Sequence, residues 1–222
     1  MTSHFSRLTG LLLALALILL ALTGGIRVLA TVPVVMERMM LRYAPPEATG
    51  LNAADYPETI RLLTDYLGEW PGEHTDLPLA EAAARFHDYE WAHLKDCAAL
   101  LRLDTSLLLA SAALLLMLLP LAFRLRRPAE VRKGLRLGLA LASLVTAGLL
   151  LWGLLDFDGL FIRFHQVFFR NSLWLLNPQT DLLVRLMPLP YFIHCALILT
   201  ALLLLALAVL LTACRRLKKQ PT

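Results

Sequence analysis

The chain has 222 residues, 58% of them hydrophobic, with a formal net charge of +4 and a mean hydropathy of +0.65. A soluble domain is about 45–50% apolar, so the excess requires membrane spans of about 20 apolar residues each and excludes a soluble enzyme. The surplus Lys and Arg flank apolar runs instead of forming a separate basic face, which makes them a topology signal and argues against a nucleic-acid partner.

Apolar runs long enough to span occur at residues 8–30, 105–123, 135–155 and 191–213. They predict an all-α membrane protein: four transmembrane helices with an extracytoplasmic helical cap, forming a single integral membrane domain over residues 1–222. Orientation follows from the basic residues. Arg124, Arg126, Arg127, Arg132, Lys133 and Arg136 lie around the link between the second and third spans, and Arg215, Arg216, Lys218 and Lys219 follow the fourth. Both regions are therefore expected in the cytoplasm, with both termini inside and residues 31–104 and 156–190 outside. The acids of the first external segment (Glu37, Glu47, Asp55, Glu58, Asp65, Glu69, Glu73, Asp76) fit that side. The first span resembles a signal-peptide core, with small residues at Thr23-Gly24-Gly25. Hydrophobicity resumes through Ile26, Val28, Leu29, Val32 and Val34, which favours a retained anchor.

Beyond that span, Tyr43-Ala44-Pro45-Pro46-Glu47 ends any helix leaving the membrane. Asp55-Tyr56-Pro57-Glu58 reads as a helix start, with an acid cap and proline in the first turn. Ile60, Leu63 and Leu67 continue at helical spacing until Gly68 stops the run. Trp70-Pro71-Gly72 reads as a turn, with Trp70 as an interfacial anchor. From Leu79 no proline or glycine intervenes before the second span. That predicts one long helix continuing into the span, or a break with a fresh N-cap at Asp104-Thr105-Ser106. Glu90, His93 and Asp96 fall three apart on one helical face, with His87 on its flank.

Gly138, Gly148 and Gly153, with Ser143 and Thr146, predict close helix packing along the third span. Next comes LDFDGLFIRFHQVFFRNSLWLLNPQTDLLVRLMPLPYF, residues 155–192. Its acids, arginines and histidine stand among Phe157, Phe161, Phe164, Phe168, Phe169 and Trp174. This mixture suits the membrane–water interface, where amphipathic rings anchor and polar tips reach headgroups. It predicts a re-entrant or surface-lying cap that holds His165 at the depth of lipid ester groups. Asn177-Pro178 reads as a helix start, with Asp181 at its positive end. In the fourth span, His194 is expected to pack or hydrogen bond near the interface.

Cys97, Cys195 and Cys214 form no C-x-x-C motif and no external pair, which speaks against a disulfide framework. Cys97 is expected to be a small packing thiol before it is a nucleophile. His4, His74 and His87 are expected to be solvated or capping.

Three groups of residues together carry a resemblance: Glu90-x-x-His93-Leu94-x-Asp96, Phe164-His165-x-x-Phe168-Phe169, and Trp174-x-x-Asn177-Pro178-x-x-Asp181-Leu182-Leu183 with Pro188. With the four-span layout, they resemble the bacterial lipoprotein intramolecular transacylases. Cys97 stands where that family is expected to carry an aliphatic residue. The resemblance implies a location in the bacterial inner membrane with the active site at the outer leaflet. It also implies transfer of the sn-2 acyl chain of a diacylglyceryl-cysteine lipoprotein to the α-amino group of the same cysteine. Diacylglyceryl-modified lipoproteins and membrane lipids are then the partners, and no cofactor or metal is implied.

By that resemblance His165 and His93 are the catalytic pair, with His165 as base and His93 at the leaving oxygen. Glu90 or Asp96 would orient an imidazole. Arg163, Arg170, Asn171 and Asn177 are the nearby donors for an oxyanion. The chemistry agrees, because an ammonium cannot attack an ester and histidine is the natural base near neutral pH. Each histidine alone could equally be a hydrogen-bonded structural residue. No serine or cysteine sits in a nucleophile motif, so no obligatory acyl-enzyme is expected. Three other readings compete: a scaffold or lipid-binding protein without activity, an acyltransferase or hydrolase of ordinary membrane lipids, and a metal or haem protein using His93, His165 and Glu90. The last lacks paired-histidine spacing.

Overall fold

A computed structural model describes residues 2–68 and 83–218. Its helices are α1 (Thr2–Thr31), α2 (Pro33–Tyr43), α3 (Pro46–Thr49), α4 (Tyr56–Gly68), α5 (Asp88–Arg124), α6 (Pro128–Leu155), α7 (Phe157–Phe168), α8 (Leu182–Leu186) and α9 (Leu189–Lys218). A short 3-10 turn covers Ala83–Arg85. Among the described residues α1, α5, α6 and α9 are long and apolar enough to cross a membrane. Large apolar side chains on them face outward, including Leu116, Phe123, Leu144, Leu154 and Leu155, each more than 70% exposed. Such surfaces belong in hydrocarbon, since in water they would form aggregating patches. The protein is an all-helical integral membrane protein with four spans.

The chain divides into two compact units. One comprises Met1–Gly25, Ser106–Leu155 and Ile198–Thr222. Its core joins Leu13 and Ala14 of α1, Leu118 of α5, Val131 and Leu135 of α6, and Leu210 and Cys214 of α9. Backbones approach closely where α1 meets α6. A Cβ on Gly134 would collide with the Arg7 carbonyl, and one on Gly10 with the Val131 carbonyl. Small residues serve that approach, and Gly138 against Ala14 extends it. Gly148 departs from the expected packing role, because a Cβ there would meet nothing within 4 Å. The expected stripe of close contact therefore stops short of that glycine. The Arg7 guanidinium pairs with Glu130, whose other oxygen accepts from Lys133 at 2.7 Å.

The second unit comprises Ile26–Thr105 and Asp156–Leu197. Pro33 opens α2 where a proline's missing N–H is harmless, and Pro46 does the same for α3. Helix α4 begins and ends within a residue of the sequence expectation, at Tyr56 and Gly68. The Asp55 carboxylate pairs with Arg85 at 3.1 Å and accepts from Asn52 at 3.3 Å, while its carbonyl receives the Thr59 amide at 3.1 Å. Helices α2 and α4 pack together, and Met36 and Met40 of the first and Ile60 and Leu63 of the second are buried. The buried Tyr56 hydroxyl donates to the Ala44 carbonyl. Burial, and then the Glu37 charge, pushes its pKa up to about 12, so it remains a donor at any physiological pH.

Helix α5 is continuous from Asp88 to Arg124, which decides between the two expectations for Asp104-Thr105-Ser106. The Thr105 hydroxyl donates to the Leu101 carbonyl one turn back, an arrangement that belongs inside a helix. The start is later than Leu79, because Phe86 and His87 interrupt the helical pattern before Asp88. Residues 79–82 lie outside the described residues, as do Trp70-Pro71-Gly72 and His74. Arg27 of α1 donates to the Thr105 hydroxyl at 2.9 Å and to the Gly68 carbonyl, tying α1, α4 and α5 within this unit. His194 of α9 meets the Tyr43 hydroxyl at 2.8 Å through Nδ1, the hydrogen-bonded role expected of it.

Candidate active site

Three short stretches of the second unit build the site: the first turns of α5, helix α7, and the loop from Phe169 to Asp181. Helix α7 starts at Asp156, whose carboxylate accepts from the Gly159 amide at 2.8 Å. A Cβ on Gly159 would meet that same carboxylate, which would have to shift to make room. The register set by this cap turns His165 inward as the buried residue of α7. Ile162, Val167 and Phe168 stay exposed, giving α7 an apolar outer face.

His165 is walled by aromatic rings. Phe161 lies 4.3 Å away between centroids, Trp174 5.0 Å, Phe164 5.4 Å and Phe169 5.4 Å. Its Nδ1 sits 2.8 Å from the Phe161 carbonyl. A carbonyl only accepts, so Nδ1 carries the proton and Nε2 of the neutral ring holds the lone pair. Burial depresses the pKa of His165 below the ordinary histidine value, although the bond to Phe161 opposes the shift.

His93 brings the second imidazole, from the second turn of α5. The two rings are 6.1 Å apart between centroids, and Phe169 packs edge-on against His93 at 5.0 Å. His93 is only 7% exposed. Its Nε2 lies 3.6 Å from the Cys97 sulfur, and its Nδ1 has no hydrogen-bond partner among the described residues.

The carboxylates on the same face act differently from one another. Glu90 is fully buried, accepting from the His87 amide at 2.8 Å and the Leu183 amide at 2.7 Å. It is the returning half of a capping box at the start of α5, and it also clamps the first turn of α8. Its oxygens thus face backbone amides, in contrast to the expectation that it orients an imidazole. Asp96 accepts from the Asn171 side chain at 2.8 Å. Asn171 also accepts from the Leu173 amide at 3.1 Å, and its carbonyl receives the Trp174 indole N–H at 2.9 Å. Asp96 and Asn171 together hold the loop that lays Trp174 over His165.

Asn177-Pro178 is a turn and not the expected helix start. The Asn177 side chain accepts from the Gln179 amide at 3.0 Å, and its carbonyl receives the Thr180 and Asp181 amides at 3.1 and 2.9 Å. Helix α8 begins at Leu182, with Asp181 at its N-cap. Asp181 is buried and accepts from Tyr89 at 2.7 Å, Thr180 at 2.6 Å and the Asn177 amide at 2.8 Å. Burial alone would raise its pKa, but those three donors hold it below the ordinary carboxylate range. Asn171 and Asn177 are thus engaged in shaping their loops, while Arg163 and Arg170 are exposed.

Tyr89 is the site-supporting residue that the sequence reading overlooked. Its neighbours in the chain give it no motif, and its partner Asp181 lies 92 positions away. Among the described residues no three His, Cys, Asp or Glu side chains gather as metal ligands.

The sequence profile of the family described as "Lipoprotein intramolecular transacylase Lit" matches residues 11–192, most of the chain. The chain belongs to this family. As a member of the lipoprotein intramolecular transacylases it is an acyltransferase. The in meso structure of the membrane integral lipoprotein intramolecular transacylase Lit from Bacillus cereus shares the fold, with a TM-score of 0.77 at 18% identity over 97% of each chain. A variant of the Bacillus cereus protein with one histidine replaced by alanine matches with a TM-score of 0.72 at 16% identity, over 97% of this chain and 94% of that one. No curated protein matches the chain significantly.

Proposed function

We propose that this transacylase moves the sn-2 acyl chain of a diacylglyceryl-cysteine lipoprotein to the α-amino group of the same cysteine, leaving a lyso-glyceryl, N-acyl product. Donor and acceptor belong to one molecule, so the protein's work is to fold the substrate head back on itself and to move protons. Proximity of this kind is worth several kcal/mol of barrier.

His165 is the base. Its Nε2 lone pair removes a proton from the substrate ammonium, and the amine attacks the ester carbonyl carbon. As the tetrahedral oxyanion collapses the attacking nitrogen gives up its second proton to solvent, the C–O bond to glycerol breaks, and the alkoxide takes a proton back from the imidazolium. One proton, the extra one that the ammonium brought, is released overall. His93 stands at the leaving oxygen. Phe161, Phe164, Phe169 and Trp174 exclude water, which would otherwise hydrolyse the ester. The exposed Arg163 and Arg170 contact headgroups or assist the oxyanion.

The reading rests on one observation: two buried imidazoles from separate segments approach to 6.1 Å between centroids inside an aromatic wall. A scaffold would have no use for this arrangement, since two adjacent buried bases cost desolvation without a structural return. The exposed apolar residues of α7 and the arginines around the α5–α6 link support an active site at the outer leaflet of the bacterial inner membrane, with both termini in the cytoplasm. The chain then works as one membrane domain with residues 31–104 and 156–190 outside.

Mass spectrometry of a lipoprotein's N-terminal peptide tests the reaction. Expressed in cells without their own N-acylating enzyme, the protein converts diacylglyceryl-cysteine to the N-acyl lyso form. His165→Ala abolishes the conversion while the protein still inserts and accumulates. Undiminished product from that variant would refute the role of His165. Free fatty acid with an unmodified amine would identify a hydrolase instead.

A further inference from the structure

We infer that Cys97 is a positioning residue that holds His93 in the tautomer protonated on Nδ1, so that the paired imidazoles offer one donor and one acceptor. This rests on the reaction proposed above. His165 is already committed by the Phe161 carbonyl, with its proton on Nδ1 and its lone pair on Nε2. His93 lacks such a carbonyl partner. Its Nε2 has the Cys97 sulfur at 3.6 Å, one helical turn further along α5.

Two arrangements are open to that contact: S–H donating to nitrogen, or N–H donating to sulfur. An sp² imidazole nitrogen is a good acceptor and a thiol sulfur a poor one, so the thiol donates. Nε2 is then the acceptor, and the single proton of the neutral ring must reside on Nδ1. That atom is buried and has no partner among the described residues. A buried N–H without an acceptor is rare in folded proteins and calls for an explanation. Here the explanation is a substrate oxygen, either the ester carbonyl as it becomes an oxyanion or the departing glycerol oxygen. With the opposite tautomer, Nδ1 would present a second lone pair, which repels an oxyanion and leaves the alkoxide without a donor.

Selective ¹⁵N-histidine labelling of the full chain in lipid nanodiscs, with His93→Asn used to assign the signal, reads the tautomer directly. The expected spectrum has a protonated Nδ1 and an unprotonated Nε2 for His93. Cys97→Ala mixes the tautomers and slows N-acyl conversion about tenfold, the scale of one lost hydrogen bond. Cys97→Ser keeps an O–H donor, so it restores the native spectrum and returns conversion to within about threefold, the small remainder reflecting imperfect geometry. A native His93 protonated on Nε2 would overturn the inference. So would a slower Cys97→Ala enzyme whose His93 spectrum is unchanged, since that pattern reports packing alone. So would an altered spectrum at an unchanged rate. Absence of N-acyl product from the unaltered protein counts against the reaction itself, and the spectrum still decides the tautomer.

Discussion

At the scale of single residues, the chemistry turns on proton positions that the chain controls through ordinary contacts. The Phe161 carbonyl leaves the lone pair of His165 on Nε2, the atom proposed above as the base, and burial among the aromatic rings penalises its charged form. The sign of that penalty sets the pH behaviour. A histidine whose pKa is depressed stays neutral, and therefore competent as a base, below the ordinary value of about 6.5. Conversion should hold steady as the pH falls from neutrality through about 6.5 and decline only below it. Rates of N-acyl formation measured between roughly pH 5 and 8 check this. An acid limb centred above about 6.5 would mean that the base is a solvated group. Glu90 and Asp181 work by another route: among the described residues neither has a hydrogen bond to an imidazole, and both accept from backbone amides of the segments around the site.

Among elements, α5 joins the site to a membrane span in one continuous helix. Its capping box at His87 and Glu90 sets the phase that puts His93 toward Phe169. The same helix accommodates Pro120 within a span, where neighbouring helices and local adjustment absorb the lost hydrogen bond. The α1–α6 pair sets how much a span tolerates. A side chain at Gly134 has to displace the Arg7 backbone carbonyl, which cannot swing aside as a flexible side chain can. Gly134→Val should therefore cost about 3 kcal/mol, the upper range for overpacking. Thermal unfolding in detergent and accumulation in membranes would register it. Gly148→Ala meets open space and should be neutral or favourable by about 0.5 kcal/mol through helix propensity alone. Equal damage from the two substitutions would refute the close approach of α1 and α6.

For the whole molecule, the proposed membrane orientation rests on charge. Arg124, Arg126, Arg127, Arg132, Lys133 and Arg136 around one short link outweigh the acids there. A reporter inserted between Arg126 and Arg127 should behave as cytoplasmic: a fluorescent protein glows and a periplasmic phosphatase stays inactive. The reverse result would put the histidines on the wrong side for exported lipoproteins.

The four spans were legible in the sequence because hydrocarbon thickness and lipid-facing exposure leave a mark on every residue of a span. Family membership was legible too, through short motifs around the two histidines. The roles of the neighbouring polar groups were not. Glu90 stands at helical spacing from His93, so periodicity pairs them, whereas its oxygens go to amides of its own helix start and of the first turn of α8, 93 positions away. Asn177-Pro178 has the composition of a helix start, yet three hydrogen bonds and a buried Asp181 make it a turn. The sequence by itself determined fold class, the number of spans and the family, because these depend on composition and local pattern. Only the tertiary structure decided how far apart the imidazoles lie, which nitrogen of each is free and which carboxylate is structural. Each of those depends on which distant backbone groups the fold brings within hydrogen-bonding reach, and local pattern carries no record of that.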